Sequence, residues 1–130
     1  VMIGEKIVSL RELFFKAECL KINAKKALPV ILKMAPKASV YLFGSLARGE
    51  IHEESDADLF VNSGVNFTSI EQREQFKINL ADLVDNVCQD VHVVVDDPFF
   101  PNYAKRFMQN VEKDMILMVN QGKILKQWQE

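Results

Sequence analysis

Two stretches of the chain decide its fold, Gly44-Ser45-Leu46-Ala47-Arg48-Gly49 and, after a short polar segment, Ser55-Asp56-Ala57-Asp58-Leu59. The first follows Ser39 to Phe43, which is rich in residues that favour strands, so its Gly-Ser pair predicts a tight turn from a strand into a short helix. The second leads into Ala57 to Val61, which predicts another strand. These two junctions are the most informative part of the sequence.

The Gly44-Ser45 turn has the properties of an anion site. A turn that opens a helix leaves several backbone N–H groups unpaired and aimed at one point, where the helix dipole favours negative charge. Gly44 lets a ligand approach the backbone closely, Ser45 adds a hydroxyl, and Arg48 lies about one turn further on. A phosphate fits this arrangement, although a Gly-Ser pair alone is more often an ordinary turn and Arg48 alone a solvated helix residue.

Asp56 and Asp58 are candidate metal ligands. Because they are two residues apart at the start of a strand, their side chains point to the same face. Two adjacent carboxylates repel each other, and a divalent cation such as Mg²⁺ between them removes that cost. Asp90 opens a predicted third strand, Asp90 to Val95, and could supply a further carboxylate. The alternatives are a helix cap and a solvated strand end for the pair, and a simple loop ending for Asp90.

The remaining elements predict a small mixed β-sheet flanked by helices, an α/β (α+β) fold. Apolar residues recur at helical spacing from Ile3 to Leu20, and Pro29 favours a break near Asn23 and a second helix that ends before Pro36. A capping box formed by Thr68 and Glu71 predicts the start of a long helix. Downstream, the pattern predicts a helix over 102–111, a strand over 115–119 and an amphipathic tail.

Composition limits the possible functions. The chain has 130 residues, 48% of them hydrophobic, and a formal net charge of −2, which argues against a protein that binds nucleic acid mainly by neutralising phosphates. The longest apolar run, Met115 to Val119, is too short to cross a bilayer, so we expect a soluble, cytoplasmic protein. Cys19 and Cys88 have no second cysteine or histidine at metal-ligand spacing and are expected to be unreactive thiols. His92 shares a predicted strand face with Asp90 and is expected to be structural.

The combination of Gly44-Ser45, Arg48-Gly49 and Ser55-Asp56-Ala57-Asp58 resembles the signature of the DNA polymerase β-like nucleotidyltransferases, and most closely the minimal nucleotidyltransferases of the antitoxin type. The resemblance covers residues of about 25 to 118, and one departure is that His52-Glu53-Glu54 replaces the usual turn before the Ser-Asp pair. It implies a polymerase-palm-like core, two Mg²⁺ ions and ATP as the nucleotide donor.

The resemblance also implies a role for each candidate residue. Gly44 and Ser45 would bind the β- and γ-phosphates, with Arg48 as the basic partner of the departing charge. Asp56 and Asp58 would ligate both metal ions, and Asp90 would hold the catalytic metal and orient the attacking hydroxyl. The same resemblance implies protein adenylylation of a small helical HEPN-type toxin by an antitoxin. The alternatives are a non-catalytic binding module and a transferase that acts on RNA or a small molecule.

The domain expectation is a single nucleotidyltransferase domain over 1–130. Within it we expect an accessory helix over 1–23, a catalytic core over 24–120 and a tail over 121–130. An amphipathic helix outside the core pattern makes a homodimer or a hetero-complex plausible.

Overall fold

The structure, a computed structural model, describes residues 9–129 and, as backbone, the short segments Met2–Ile3 and Lys6–Ile7. The helices are α1 Leu10–Met34, α2 Gly44–Arg48, α3 Ile70–Val87 and α4 Pro101–Val111, followed by a single 3-10 turn Lys126–Trp128. The strands are β1 Met2–Ile3, β2 Lys6–Ile7, β3 Ser39–Phe43, β4 Ala57–Asn62, β5 Val91–Val95, β6 Ile116–Asn120 and β7 Lys123–Ile124.

The central sheet has five strands in the order β5-β4-β3-β6-β7. β4 and β5 run parallel and are connected through α3, whereas β3 is antiparallel to both of its neighbours. The expected mixed sheet flanked by helices is therefore confirmed. The β4–β5 pairing is the important one for function, because a parallel pair brings the starts of its two strands to the same end of the sheet.

The two faces of the sheet differ in composition. One face packs against α1 and α3 and carries fully buried residues at alternate positions of β3 and β4: Val40, Leu42, Leu59 and Val61. Strand β6 adds the buried Met118 and Val119 beside the shift in the β3–β6 register. The other face carries the alternate residues, among them Tyr41, Phe43 and Phe60, whose rings contact one another or Phe107 of α4. Helix α4 lies over this second face and has no buried residue of its own. Asp58 shares the second face by strand alternation.

The N-terminal prediction of two helices is wrong. Leu10–Met34 forms one continuous helix through the predicted break, with Pro29 inside it. Pro29 removes one backbone hydrogen bond, but Leu28 and Ile31 are fully buried on either side of it, and their burial offsets that loss. Ile3 belongs to a short antiparallel strand pair rather than to a helix.

The helix begins at Leu10 because the preceding Ser9 caps it. The Ser9 side chain accepts a hydrogen bond from the backbone N–H of Glu12, at 3.1 Å. Of the accessory helix expected over 1–23, the placement of Val1, Gly4, Glu5 and Val8 lies outside the described residues, as does Glu130 of the expected tail.

Smaller differences concern caps and the tail. Helix α3 is capped by Ser69, whose hydroxyl accepts from the Gln72 N–H, and not by the predicted Thr68 and Glu71. The predicted amphipathic tail contains the short strand β7, which extends the sheet beside β6, and the buried Trp128. Among the described residues, no helix is long and apolar enough to span a membrane.

Candidate active site

Gly44 lies directly against Asp58. Phe43 pairs with Asp58 in the antiparallel β3–β4 ladder, so the turn that follows Phe43 passes beside the carboxylate. Gly44 has a φ of 78°, a left-handed conformation that favours glycine. A β-carbon at Gly44 would overlap Oδ2 of Asp58 and would lie 3.2 Å from its Cγ. The expected phosphate-binding turn and the expected metal-binding pair are therefore adjacent in the structure.

Ser45 is held beside the second stretch by Ser55. The Ser45 hydroxyl donates to the Oγ of Ser55 at 3.0 Å, and the same oxygen accepts from the backbone N–H of His52 at 3.0 Å. Ser55 is only 3% exposed, so these hydrogen bonds are shielded from water. Ser55 thus fixes the position of Ser45 relative to the strand that carries the aspartates. The sequence pattern contains Ser55 but does not indicate this role.

Asp58 is a half-buried carboxylate, whereas Asp56 is exposed. Burial raises the pKa of Asp58 above its ordinary value, the negative charge of Asp56 raises it further, and the neighbouring His92 opposes the rise. A carboxylate that is costly to ionise in this position gains most from a nearby cation. Asp56 is close enough to act on the pKa of Asp58, and two neighbouring carboxylates are the ligand type that Mg²⁺ prefers, so this pair fits a divalent metal.

Asp90 lies next to this pair in the sheet. Its backbone carbonyl accepts a hydrogen bond from Ala57 N–H at 2.8 Å, and Ala57 pairs with Val91 in the parallel ladder. The strand begins at Val91, one residue later than predicted, because Asp90 has a φ of 59° in the left-handed region. Its side chain therefore does not follow the alternation of the strand. Within the part of the chain that the structure describes, no three acidic, histidine or cysteine side chains form a group that could hold a metal.

His92 is the residue that faces Asp58 from β5. The two residues pair directly in the β4–β5 register, and His92 Nδ1 lies 3.4 Å from Asp58 Oδ1. The sequence shows that His92 and Asp90 are two residues apart, but it does not give the register between strands. That register decides which of the two residues meets Asp58.

Arg48 lies at the end of α2, and its guanidinium pairs with a nearby carboxylate. Its Nε donates to Glu50 at 3.1 Å, and both side chains are substantially exposed. An exposed ion pair of this kind contributes about 0–1 kcal/mol, so a phosphate could compete for the guanidinium. The positive charge of Arg48 also lowers the pKa of Asp58 slightly, which places it within electrostatic reach of the carboxylates.

Comparisons with known proteins identify the fold and the family of the chain. A crystal structure of a Sulfolobus solfataricus protein, itself assigned as a nucleotidyltransferase by inference, superposes with a TM-score of 0.62. The alignment covers 92% of this chain and 97% of that one at 19% sequence identity, so it shows a shared fold. No curated protein matches the chain significantly. The family model described as "Nucleotidyltransferase domain" matches residues 24–118, which include both stretches of the site. The chain therefore belongs to the nucleotidyltransferase domain family.

Proposed function

We propose that this protein is a Mg²⁺-dependent enzyme that transfers a nucleoside monophosphate, with ATP as the donor, to a hydroxyl group. The observation that carries the proposal is the contact between Gly44 and Asp58. It joins a turn suited to phosphate oxygens with a carboxylate pair suited to a divalent cation. Nucleotidyl transfer requires both features at one place, because the metal must meet the phosphates of the donor.

Each residue of the site then has a task. The backbone N–H groups of the Gly44-Ser45 turn and the Ser45 hydroxyl bind the β- and γ-phosphates, and Arg48 offsets the charge that builds up as pyrophosphate departs. Asp56 and Asp58 would hold the metal pair. Bound Mg²⁺ would neutralise the phosphate charge and make the α-phosphorus easier to attack.

We propose Asp90 as the third carboxylate, which holds the catalytic metal and orients the attacking hydroxyl. Support comes from the sheet, since Asp90 and Asp56 each precede one member of the paired residues Val91 and Ala57. The two aspartates therefore immediately precede neighbouring parallel strands. In this proposal the Asp90 side chain extends from the loop before β5, because the left-handed backbone takes Asp90 out of the strand alternation.

We further propose that the acceptor lies on a partner protein, a small helical protein of the HEPN type, with this chain as the antitoxin. The resemblance to minimal nucleotidyltransferases supports this assignment. Helix α1 adds a physical argument, because Leu10, Phe14 and Phe15 near its N-terminus are more than 70% exposed. Large apolar side chains grouped in this way are typical of protein-binding surfaces.

The test is incubation of the purified protein with Mg²⁺ and α-phosphate-labelled ATP in extract of its own organism. The expected result is a protease-sensitive labelled band that Asp58→Asn abolishes. Asp82→Asn, which makes the same change in charge on an exposed part of α3, should leave the band unchanged. A nuclease-sensitive product would redirect the proposal to RNA, and a small labelled product to a small-molecule acceptor. Absence of any label with all four nucleotides would reject the enzyme.

A second candidate function is a binding module that neutralises its partner by contact with little turnover. The observation that favours it is that His92 lies opposite Asp58. A histidine at this position does not supply the third carboxylate that the enzyme would use. The two candidates differ in the behaviour of Asp58→Asn. An enzyme should lose nucleotide transfer and partner neutralisation together, whereas a binding module should still neutralise its partner.

A further inference from the structure

A cavity of about 430 Å³ lies beside the proposed active site, along the edge strand β5 and under helix α4. This volume is within the range of small-ligand sites in proteins. Its walls are mainly apolar and aromatic, and the side chains that matter for the argument are Phe60, His92, Val94, Tyr103, Phe107 and Met108.

The cavity is continuous with the proposed site through two residues. His92 lines the cavity and also contacts Asp58. Phe60 follows Asp58 by two residues and therefore lies on the same face of β4, where its ring is 5.5 Å from that of Phe107. A molecule in the cavity would thus reach the carboxylate that we assign to the metal.

The buried cation at the cavity is already engaged. Arg73 is buried, and its guanidinium donates to the carbonyl oxygens of Val95 and Asp96. It also forms an ion pair with Asp97 at 3.6 Å, and Lys77 at the rim lies 3.7 Å from Glu74. These partners satisfy the buried charge of Arg73, and Lys77 lies only at the exposed rim, so the apolar interior of the cavity suits an apolar group better than a phosphate chain.

The order of strands gives the cavity its place in the reaction. Ser45 follows β3, Asp58 lies on β4 and His92 on β5, and these strands are consecutive in the sheet. In an in-line displacement, the attacking oxygen lies opposite the leaving oxygen across the phosphorus. With pyrophosphate held at Ser45 and the α-phosphorus at Asp58, the attacking hydroxyl must come from the side of β5. The bond from the α-phosphorus to the nucleoside points away from that line.

We propose that this cavity is the acceptor subsite and that the acceptor presents its hydroxyl on an apolar, ring-sized body; the inference rests on the proposed function. The body lies against the rings of Phe60 and Phe107, which line the cavity and contact each other, and the hydroxyl extends past His92 toward Asp58. The acceptor oxygen forms a bond to the α-phosphorus, and the bond from that phosphorus to the bridging oxygen breaks. Pyrophosphate leaves with the electron pair, and the hydroxyl proton passes to solvent.

The first test uses the wild-type chain without nucleotide. Benzyl alcohol serves as a probe with a hydroxyl on an apolar ring, and glycerol serves as a polar control. In an NMR titration, benzyl alcohol should shift the amide signals of the residues that line the cavity, and glycerol should not. Equal shifts with both probes, or none with benzyl alcohol, would overturn the inference, and this result does not depend on whether the chain binds ATP.

The second test fills the cavity. Ala104→Trp places a bulky ring inside it, whereas Asn110→Trp adds the same ring on the exposed side of α4. Ala104→Trp should reduce label transfer at least about 10-fold with the dissociation constant of ATP changed less than twofold, and Asn110→Trp should change neither. A large loss of ATP affinity in Ala104→Trp would assign the cavity to the nucleobase, and unchanged transfer would exclude it as an acceptor site. Failure of the wild-type chain to bind ATP would count against the proposed function instead.

Discussion

Gly44 and Asp58 are in contact across the β3–β4 pair, with no room for a β-carbon between the glycine backbone and the carboxylate. Gly44→Ala would therefore have to displace Asp58 in addition to straining a left-handed backbone. We expect a loss of nucleotide transfer of about 100-fold, because a displacement of a catalytic group by about 1 Å has an effect of this size. Labelled-ATP assays on the purified variant measure this loss.

Gly49→Ala is the matched control for that substitution. Gly49 has a similar φ of 73°, but a β-carbon there would meet no atom within 4 Å. Both variants should pay about 1–2 kcal/mol for the left-handed backbone, and Gly44→Ala at least about 1 kcal/mol more in urea unfolding. Equal stability and equal activity of the two variants would show that the contact with Asp58 has no consequence.

Asp58→Asn should stabilise the fold while removing activity. Burial and the charge of Asp56 raise the pKa of Asp58, so ionisation of this carboxyl costs free energy in the folded state. The gain in the free energy of unfolding from Asp58→Asn should be absent below the ordinary pKa of 3.8. It should grow as the pH rises through the raised pKa and should be constant above it. Thermal unfolding of the variant and the wild type at about pH 3 and pH 7 measures the difference. A variant less stable than the wild type at pH 7 would contradict this reading.

Ser55→Ala should weaken nucleotide binding through its effect on Ser45. The substitution leaves the His52 N–H without its acceptor and frees the Ser45 hydroxyl. The free energy of unfolding should fall by about 1–3 kcal/mol. Ser69→Ala removes the cap of α3 and should cost about 1 kcal/mol of stability, with no change in the ATP dissociation constant. A Ser55→Ala variant that binds ATP like the wild type would show that Ser55 supports the loop alone.

Arg73→Lys should destabilise the chain by about 1–3 kcal/mol in urea unfolding. The guanidinium donates to the carbonyl oxygens of Val95 at 2.6 Å and Asp96 at 3.1 Å, and it does so from a buried position. A lysine ammonium lacks the planar fork that serves both acceptors together. A variant as stable as the wild type would mean that this end of β5 does not depend on the arginine.

Much of the fold follows from local patterns in the sequence. Ser39–Phe43 and Ala57–Asn62 are short β-rich runs between turn residues, and both form strands close to their predicted bounds. The predicted break before Pro29 is wrong, because a proline is a strong local signal for the end of a helix. The burial of the residues around it, which keeps the helix continuous, is not visible in the local pattern. The strand β7 was missed because two residues carry no periodicity.

The candidate residues of the site could be predicted from the sequence, but the alignment of the strands that carry them could not. The period of a strand predicts that Asp56 and Asp58 share one face, and the structure starts that strand at Ala57, after Asp56. The position of Gly44 against Asp58, and of His92 in place of Asp90 opposite it, depends on how β3, β4 and β5 align. Strand register is a tertiary property, so no single segment of the sequence contains it.

The most direct test of nucleotidyl transfer at this site compares ATP labelled at the α-phosphate with ATP labelled at the γ-phosphate, with wild-type protein and Asp58→Asn in parallel. Our account predicts that the acceptor gains the α-label and never the γ-label. It also predicts that Asp58→Asn lowers the rate of α-label transfer by more than about 100-fold. Removal of a residue that only supports a metal ligand has a smaller effect. Transfer of the γ-label, or undiminished α-label transfer by Asp58→Asn, would contradict the account.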